Sequence, residues 1–155
     1  HHTDAIVEGD ADIAFLAFHN FEVVESRHRG YETALWELDD YGVPDFSRLT
    51  LVASEEKIEQ APEEVEGFVR ATRRGIEDAV ETPEETTDLF YDRHPKVRDE
   101  DPELMDKIAS ATVERFTPDV SQDSGMYADL ADFCEELDLI EESAPVDETV
   151  TDGFV

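Results

Sequence analysis

Apolar residues follow two different patterns along this 155-residue chain. Up to residue 53 they stand in short runs or alternate with polar residues, which is typical of strands. From residue 54 onward they recur every three or four positions, which is typical of amphipathic helices. The chain is therefore predicted to begin with strands around one short helix and to continue as a series of helices.

Four segments of the first part are predicted as strands or buried elements. Residues 4–7 are predicted as a short strand, closed by Gly9. Residues 11–17 form a continuous apolar run that is either a strand or the start of a buried helix, because periodicity alone does not separate the two. Residues 31–38 alternate in their middle, and residues 49–53 have the clearest strand pattern in the chain.

Two local signals lie between these predicted strands. A short helix is expected from about residue 21 to Arg29, with Gly30 as its left-handed cap. A tight turn is expected over residues 41–44, in which Gly42 can adopt a positive φ and Pro44 holds Val43 extended.

The second part is predicted to contain helices with recognisable first residues. Ser54 is predicted as an N-cap, and Pro62 as the first residue of a helix over residues 62–80. Gly75 costs that helix about 1 kcal/mol relative to Ala, so we expect another element to approach it closely. Further helices are predicted over residues 83–91 and 102–116 and from about residue 125. Side chains expected to face inward include Phe68, Ala79, Val80, Leu89, Phe90, Ile108, Thr112, Arg115, Leu130 and Phe133.

Charge changes the picture of the surface. Asp and Glu number 42 against 12 Lys and Arg, which gives a formal net charge of -30. Self-repulsion of this size is relieved by salt, because the Debye length falls to about 3 Å at 1 M. We therefore expect a halophile's protein with an acidic surface. Disorder is disfavoured by the nine Phe, four Tyr and one Trp, and nucleic acid is excluded as a partner because basic residues do not cluster.

Most familiar chemical motifs are absent from the sequence. The single cysteine, Cys134, permits no internal disulfide, and no apolar run is long enough to cross a membrane. No phosphate-binding glycine loop occurs, and the five His are too scattered to predict a zinc site. Adjacent Asp39 and Asp40 are compatible with a bound cation or with a solvated turn, and adjacent acids are expected by chance here. We predict no metal site and no catalytic residue.

Polar side chains follow the apolar run of residues 11–17 directly. His19, Asn20 and Glu22 place an imidazole, an amide and a carboxylate beside the rings of Phe18 and Phe21. Polar residues at the end of a strand in an α/β sheet lie where ligands bind. The alternatives are that Phe18 belongs to the core and that Glu22 faces water.

Longer stretches of the sequence resemble a known family. They are DYGVPD at residues 40–45, PEEVEGFVRATRRG at residues 62–75, and the Asn20-Phe21-Glu22 segment that follows the predicted strand at residues 4–7. In order and spacing they resemble the second half of the NMT1/THI5-like (SsuA/THI5-like) periplasmic-binding-protein-like family. That family includes bacterial pyrimidine-precursor-binding proteins and fungal thiamine-pyrimidine synthases.

The resemblance implies an α/β fold, part of a type II periplasmic-binding-protein-like fold of two lobes, helix-rich in the last two thirds of this chain. Residues 1–48 would form the end of the second lobe with the hinge, and residues 49–155 the C-terminal helical part of the first lobe. Gly42, Val43 and Pro44 would form the hinge. A missing N-terminal half, or a partner chain, would complete the fold. The residues expected to line the ligand site are Phe18, His19, Asn20, Glu22, Asp40 and Tyr41, with Trp36 as a further ring that belongs either to the site or to the core.

The function implied by the resemblance is that of a solute-binding protein, or a fragment of one. It would bind a small heteroaromatic thiamine pyrimidine precursor without a cofactor and pass it to an ABC transporter permease. We expect the protein to be extracellular and attached to the cell surface of a haloarchaeon. The alternative is a cytoplasmic protein. One other hypothesis is an enzyme related to hydroxymethylpyrimidine phosphate synthase, although this chain matches neither the Cys-rich motif nor the cofactor lysine and histidine of the fungal synthases. The third hypothesis is a stand-alone helical interaction module.

Overall fold

The computed structural model describes residues 2–47 and 49–155 of the chain. These residues form two compact units. The first contains residues 2–34 and 74–118, and the second contains residues 35–47, 49–73 and 119–155. Each unit is thus built from separate stretches of chain. The expected assignment of residues 1–48 and 49–155 to two lobes concerns a larger protein and stays a prediction.

The first unit is helical. It contains α1 (His2–Val7), α2 (Glu22–His28), the end of α4 (Pro62–Glu81), α5 (Pro83–Arg93), α6 (Pro95–Arg98) and α7 (Pro102–Val113). Helix α2 packs against α1 and α7, and α5 packs against α6 and α7. In the part of the chain that the structure describes, the buried apolar side chains are Val23, Ala79, Tyr91 and Ile108, and all of them lie in this unit.

The second unit contains shorter elements and more irregular chain. A 3₁₀ helix spans Asp39–Tyr41, followed by α3 (Glu55–Gln60), the first part of α4, α8 (Ser124–Glu136) and α9 (Val146–Thr149). Helix α9 packs against α8. The backbone N–H of Gln122 donates to Asp152 Oδ1 at 2.7 Å, which joins the segment before α8 to the end of the chain.

Local signals place the helix starts where the sequence predicts them. Ser54 Oγ accepts a hydrogen bond from the Lys57 N–H at 3.2 Å and so caps α3. Pro62 begins α4, and Pro83 and Pro102 begin α5 and α7. The expected helix after residue 21 is α2, and Gly30 beyond its end has φ 85°. These predictions are confirmed.

The predicted strands are not found. No strand occurs among residues 2–47 and 49–155, so the α/β prediction is not confirmed. Residues 4–7 lie in α1, and residues 11–17 and 31–38 form no regular element. Leu49 and Val52 are 91% and 90% exposed. A strand needs a neighbouring strand for its backbone hydrogen bonds, and no described segment pairs with these.

Three expectations about packing are also wrong. On α5, Leu89 and Phe90 are exposed, and Tyr91 is the buried residue. On α4, Phe68 and Val80 are exposed whereas Ala79 is buried as expected. A Cβ added at Gly75 would meet nothing within 4 Å, so no described element approaches that glycine closely. The helical period identified the helices, but the width of each buried face depends on which neighbours cover it.

Candidate functional site

The residues predicted to bind a ligand before α2 form a closed turn at residues 18–22. The Phe18 carbonyl accepts hydrogen bonds from the N–H groups of Phe21 and Val23 at 3.2 and 3.4 Å. Glu22 Oε2 accepts a hydrogen bond from the Phe18 N–H at 2.8 Å. The carboxylate at the start of α2 therefore fixes the backbone of the turn, which leaves it less suited to a ligand than to this structural contact.

Asn20 connects the turn to α7. Its Nδ2 donates a hydrogen bond to Thr112 Oγ1 at 2.8 Å, and Thr112 Oγ1 itself donates to the Ile108 carbonyl at 2.7 Å. A hydroxyl has one proton, so Thr112 can only accept from Asn20. The NH₂ end of the amide consequently faces Thr112, and Oδ1 lies on the opposite side of the amide group.

His19 contacts the residues just after α7. Arg115 Nη2 lies 2.5 Å from His19 Nδ1. Because a guanidinium is always protonated and can only donate, Nδ1 accepts, and the ring proton of the neutral imidazole is on Nε2. The contacts of Asn20 and His19 join residues 92 and 96 positions apart in the sequence.

A second cluster holds the other end of the α2–α7 pair. His28 Nε2 lies 3.1 Å from Asp101 Oδ2, and Lys107 Nζ donates to His28 Nδ1 at 3.1 Å. Asp101 Oδ1 also caps α7 by accepting from the Leu104 N–H at 3.0 Å. That bond, with the hydrogen bond from His28 and the positive charge of Lys107, lowers the pKa of the Asp101 carboxyl below its usual value. Contacts at both ends thus fix α2, and the turn before it, on α7.

The turn presents groups that suit a small heteroaromatic ring. The Phe18 side chain is 44% exposed and offers an aromatic face. Asn20, two residues later in the same turn, offers Oδ1 as a hydrogen-bond acceptor whose orientation is fixed by Thr112. Neither of two open depressions, of about 730 and 280 Å³, is lined by the turn, and no group of His, Cys, Asp and Glu in residues 2–47 and 49–155 could hold a metal ion. Among the helices described, none is long and apolar enough to cross a membrane.

The other predicted site residues belong to the second unit. Asp40 and Tyr41 lie in the 3₁₀ helix, where Tyr41 is 68% exposed. Gly42 ends this helix with φ 87°, as expected, and its N–H donates to the Asp39 carbonyl at 3.1 Å. Val43 and Pro44 follow and are half-buried. The structure therefore brings Phe18, His19, Asn20 and Glu22 together, and places Asp40, Tyr41 and the exposed Trp36 in another unit.

Thr112 and Arg115 have a part in this site that the sequence analysis missed. Both were expected on the inner face of a helix over residues 102–116. Thr112 is half-buried on α7, whereas Arg115 lies beyond the end of α7 and is exposed, so the expectation for Arg115 is wrong. A signal was present, because polar side chains on a packed face require partners. Asn20 is also the only asparagine in the 155 residues, in a chain rich in Asp and Glu. A single amide retained in so acidic a composition is a reason to look for its partner.

Comparison with known proteins places the chain in a family. The family model described as NMT1/THI5 like matches residues 1–86. A formylaminopyrimidine-binding protein of Halalkalibacterium halodurans is 33% identical over 86 residues, which are 56% of this chain and 26% of that protein. A 4-amino-5-hydroxymethyl-2-methylpyrimidine phosphate synthase of Legionella pneumophila is 29% identical over 156 residues, 99% of this chain and 48% of that protein.

The chain thus spans about half the length, or less, of these curated relatives. No solved structure gives a significant match. The NMT1/THI5-like family implies a periplasmic-binding-protein-like fold. Because the family model covers more than half of its residues, the chain belongs to the NMT1/THI5-like family.

Proposed function

We propose that this chain is part of a protein that binds a small 4-aminopyrimidine, with the turn at residues 18–22 in the ligand site. The observation that carries the proposal is the fixed amide of Asn20. Its Oδ1 faces away from Thr112, where it can accept a hydrogen bond from the exocyclic amino group of such a ligand. The exposed ring of Phe18, two residues earlier, offers a face for stacking.

The names of the relatives support this class of ligand. One is named for binding formylaminopyrimidine and the other for making 4-amino-5-hydroxymethyl-2-methylpyrimidine phosphate. Both names contain an aminopyrimidine. An acceptor that is held in one orientation distinguishes an amino group from a carbonyl group on the same ring, which fits a protein selective for amino compounds.

The rest of the proposed mechanism concerns the whole protein. It has two α/β lobes that close over the ligand, with Asp40 and Tyr41 approaching the ligand and Gly42, Val43 and Pro44 acting as the hinge. The ligand shifts the protein toward the closed state because it binds that state more tightly. The loaded protein passes the ligand to an ABC transporter permease at the outer surface of a halophilic cell.

Synthesis of a pyrimidine phosphate is the second candidate. It is favoured by the alignment of the synthase relative with 99% of this chain. The two candidates differ in what happens to the bound molecule. A binding protein returns its ligand unchanged, whereas a synthase forms a pyrimidine phosphate that mass spectrometry detects after incubation of the full-length protein.

Isothermal titration calorimetry on the full-length protein in molar KCl tests the proposal. Hydroxymethylpyrimidine and formylaminopyrimidine are the ligands. Asn20→Ala should weaken binding about five- to tenfold, the size of one hydrogen bond of about 1 kcal/mol. Gln60→Ala is the matched control, since the exposed Gln60 amide donates to Glu56 Oε1 one turn earlier at 3.2 Å, and this variant should bind like the wild type. Absence of heat with both compounds would refute the proposal.

A further inference from the structure

We infer that Thr112 is a positioning residue that sets ligand specificity, because it fixes the orientation of the Asn20 amide and so selects 4-amino over 4-oxo pyrimidines. This inference rests on the proposed function, but its key step concerns the protein alone. Thr112 lies at the end of α7 and acts on the ligand through Asn20.

The first step is the direction of the Thr112 hydroxyl. Threonine in a helix can donate its hydroxyl proton to the carbonyl four residues earlier. Thr112 does so, at 2.7 Å from the Ile108 carbonyl oxygen. The oxygen atom then has only lone pairs to offer to Asn20, which stands 92 positions earlier in the sequence.

The second step is the orientation of the amide. The two ends of an asparagine amide have nearly the same shape, so packing alone does not decide which end faces a neighbour. Thr112 decides it through chemistry. If the amide turned over, Thr112 could donate to Asn20 Oδ1 only by withdrawing its proton from the Ile108 carbonyl, and otherwise two acceptors would face each other. The turned-over orientation therefore makes one hydrogen bond fewer, which disfavours it.

The third step is the consequence for the ligand. With NH₂ directed at Thr112, Asn20 presents Oδ1, an acceptor that pairs with an amino group and repels a carbonyl oxygen. An amide that is free to turn over presents either end and accepts both ligands. The hydroxyl of Thr112 thus acts as the selector, and its loss should reduce selectivity more than affinity for the amino compound.

Calorimetry on three variants of the full-length protein tests this inference, with 4-amino-5-hydroxymethyl-2-methylpyrimidine and its 4-oxo analogue as the probes. The wild type should prefer the amino compound about tenfold or more, the value of one hydrogen bond gained or lost. Thr112→Val keeps the branched side chain and removes the hydroxyl, so the preference should fall to about twofold. Thr112→Ser restores the hydroxyl and should restore the preference.

Thr72→Val is the matched control. Thr72 makes the same contact with the carbonyl four residues earlier, at 2.9 Å from the Phe68 oxygen, but no hydrogen bond to Asn20. The preference of this variant should equal that of the wild type. If the wild type binds neither probe, the proposed function is refuted. If the wild type binds and Thr112→Val keeps the full preference, the inference is wrong while the proposed function stands.

A second measurement needs no ligand. Within these 155 residues Asn20 is the only asparagine, beside two glutamines, and its side-chain NH₂ signals in a ¹⁵N spectrum are assigned by their loss in Asn20→Ala. In the wild type the proton that is bonded to Thr112 should exchange slowly with water. That protection should disappear in Thr112→Val and persist in Thr72→Val. Equal exchange in wild type and Thr112→Val would overturn the inference.

Discussion

Arg29 Nη2 donates a hydrogen bond to Glu25 Oε1 at 2.6 Å, and the Glu25 carboxylate is buried on α2. The same guanidinium reaches Asp4 Oδ1 on α1 at 2.7 Å. One cation thus neutralises a carboxylate that has little contact with water and joins two helices. The chain has a net charge of -30, and within residues 2–47 and 49–155 Glu25 is the one buried acidic residue.

Replacing Arg29 by Ala should therefore lower the free energy of unfolding by about 2 kcal/mol, because a buried carboxylate is left without its charged partner. Arg70→Ala is the matched control. Arg70 also bonds a glutamate one turn away, Glu66, but both side chains are exposed, so the change should be below about 0.5 kcal/mol. Urea unfolding in molar KCl measures both, and equal effects would contradict the assignment of Glu25 to the interior.

The packing of α7 can be tested in the same way. Ile108 is 9% exposed, so Ile108→Ala should cost about 2 to 4 kcal/mol through lost burial and the cavity that remains. Leu89 on α5 is 56% exposed, and Leu89→Ala should change stability by less than about 0.5 kcal/mol. The opposite ranking would show that α5 packs against α6 and α7 through the face that carries Leu89.

Two glycines should respond to alanine with opposite signs. Gly75 lies inside α4 with open space where a Cβ would stand, so Gly75→Ala should stabilise the protein by about 1 kcal/mol. Gly42 has φ 87°, which costs a residue with a Cβ about 1 to 2 kcal/mol, so Gly42→Ala should destabilise. Thermal unfolding of the pair gives both signs. If Gly75→Ala destabilised the full-length protein, another segment of that protein would have to pack closely against α4 at Gly75.

Acid stability should depend on Asp101. Its pKa is lowered below 3.8 by the Leu104 N–H first, and also by His28 and Lys107. A carboxyl with a lowered folded pKa stabilises the protein above its unfolded pKa, and that contribution is lost as pH falls through the folded value. Asp101→Asn keeps an acceptor for the Leu104 N–H but has no charge to lose. The variant should therefore lose less stability than the wild type as pH falls below 3.8.

Asp88→Asn is the control for this titration. Asp88 is an exposed residue on α5. Its replacement should leave the dependence of the unfolding free energy on pH, on the acid side, as it is in the wild type. Unfolding free energies at a series of pH values and constant KCl provide the comparison. An identical acid limb in Asp101→Asn and wild type would exclude a role for this carboxyl.

Salt should raise the unfolding temperature. With 42 acidic and 12 basic residues, the folded chain repels itself, and molar KCl screens that repulsion. Scanning calorimetry from dilute buffer to molar KCl should show a continuous rise. Sucrose of equal osmolality, which does not screen charge, should raise it less. A flat salt response would count against adaptation to high salt.

Local features of this protein were predictable from its sequence. The sequence correctly predicted that proline begins α4, α5 and α7 and that Ser54 caps α3. Each of these features depends on a few neighbouring residues. The left-handed conformations of Gly30 and Gly42 were also predicted correctly, because they too depend on a few neighbouring residues. The resemblance also identified the family, since motifs of this kind are continuous in sequence.

Contacts between distant residues were decided only by the tertiary structure. Asn20 and His19 were recognisable as candidates, but their partners Thr112 and Arg115 lie 92 and 96 positions away. The predicted strands failed for a related reason. Alternation shows that a segment could form a strand, whereas a strand forms only where another segment supplies its hydrogen bonds, as none does for residues 49–53 in the described chain. The sequence thus determined the local conformations and the family, and long-range packing determined which polar groups meet.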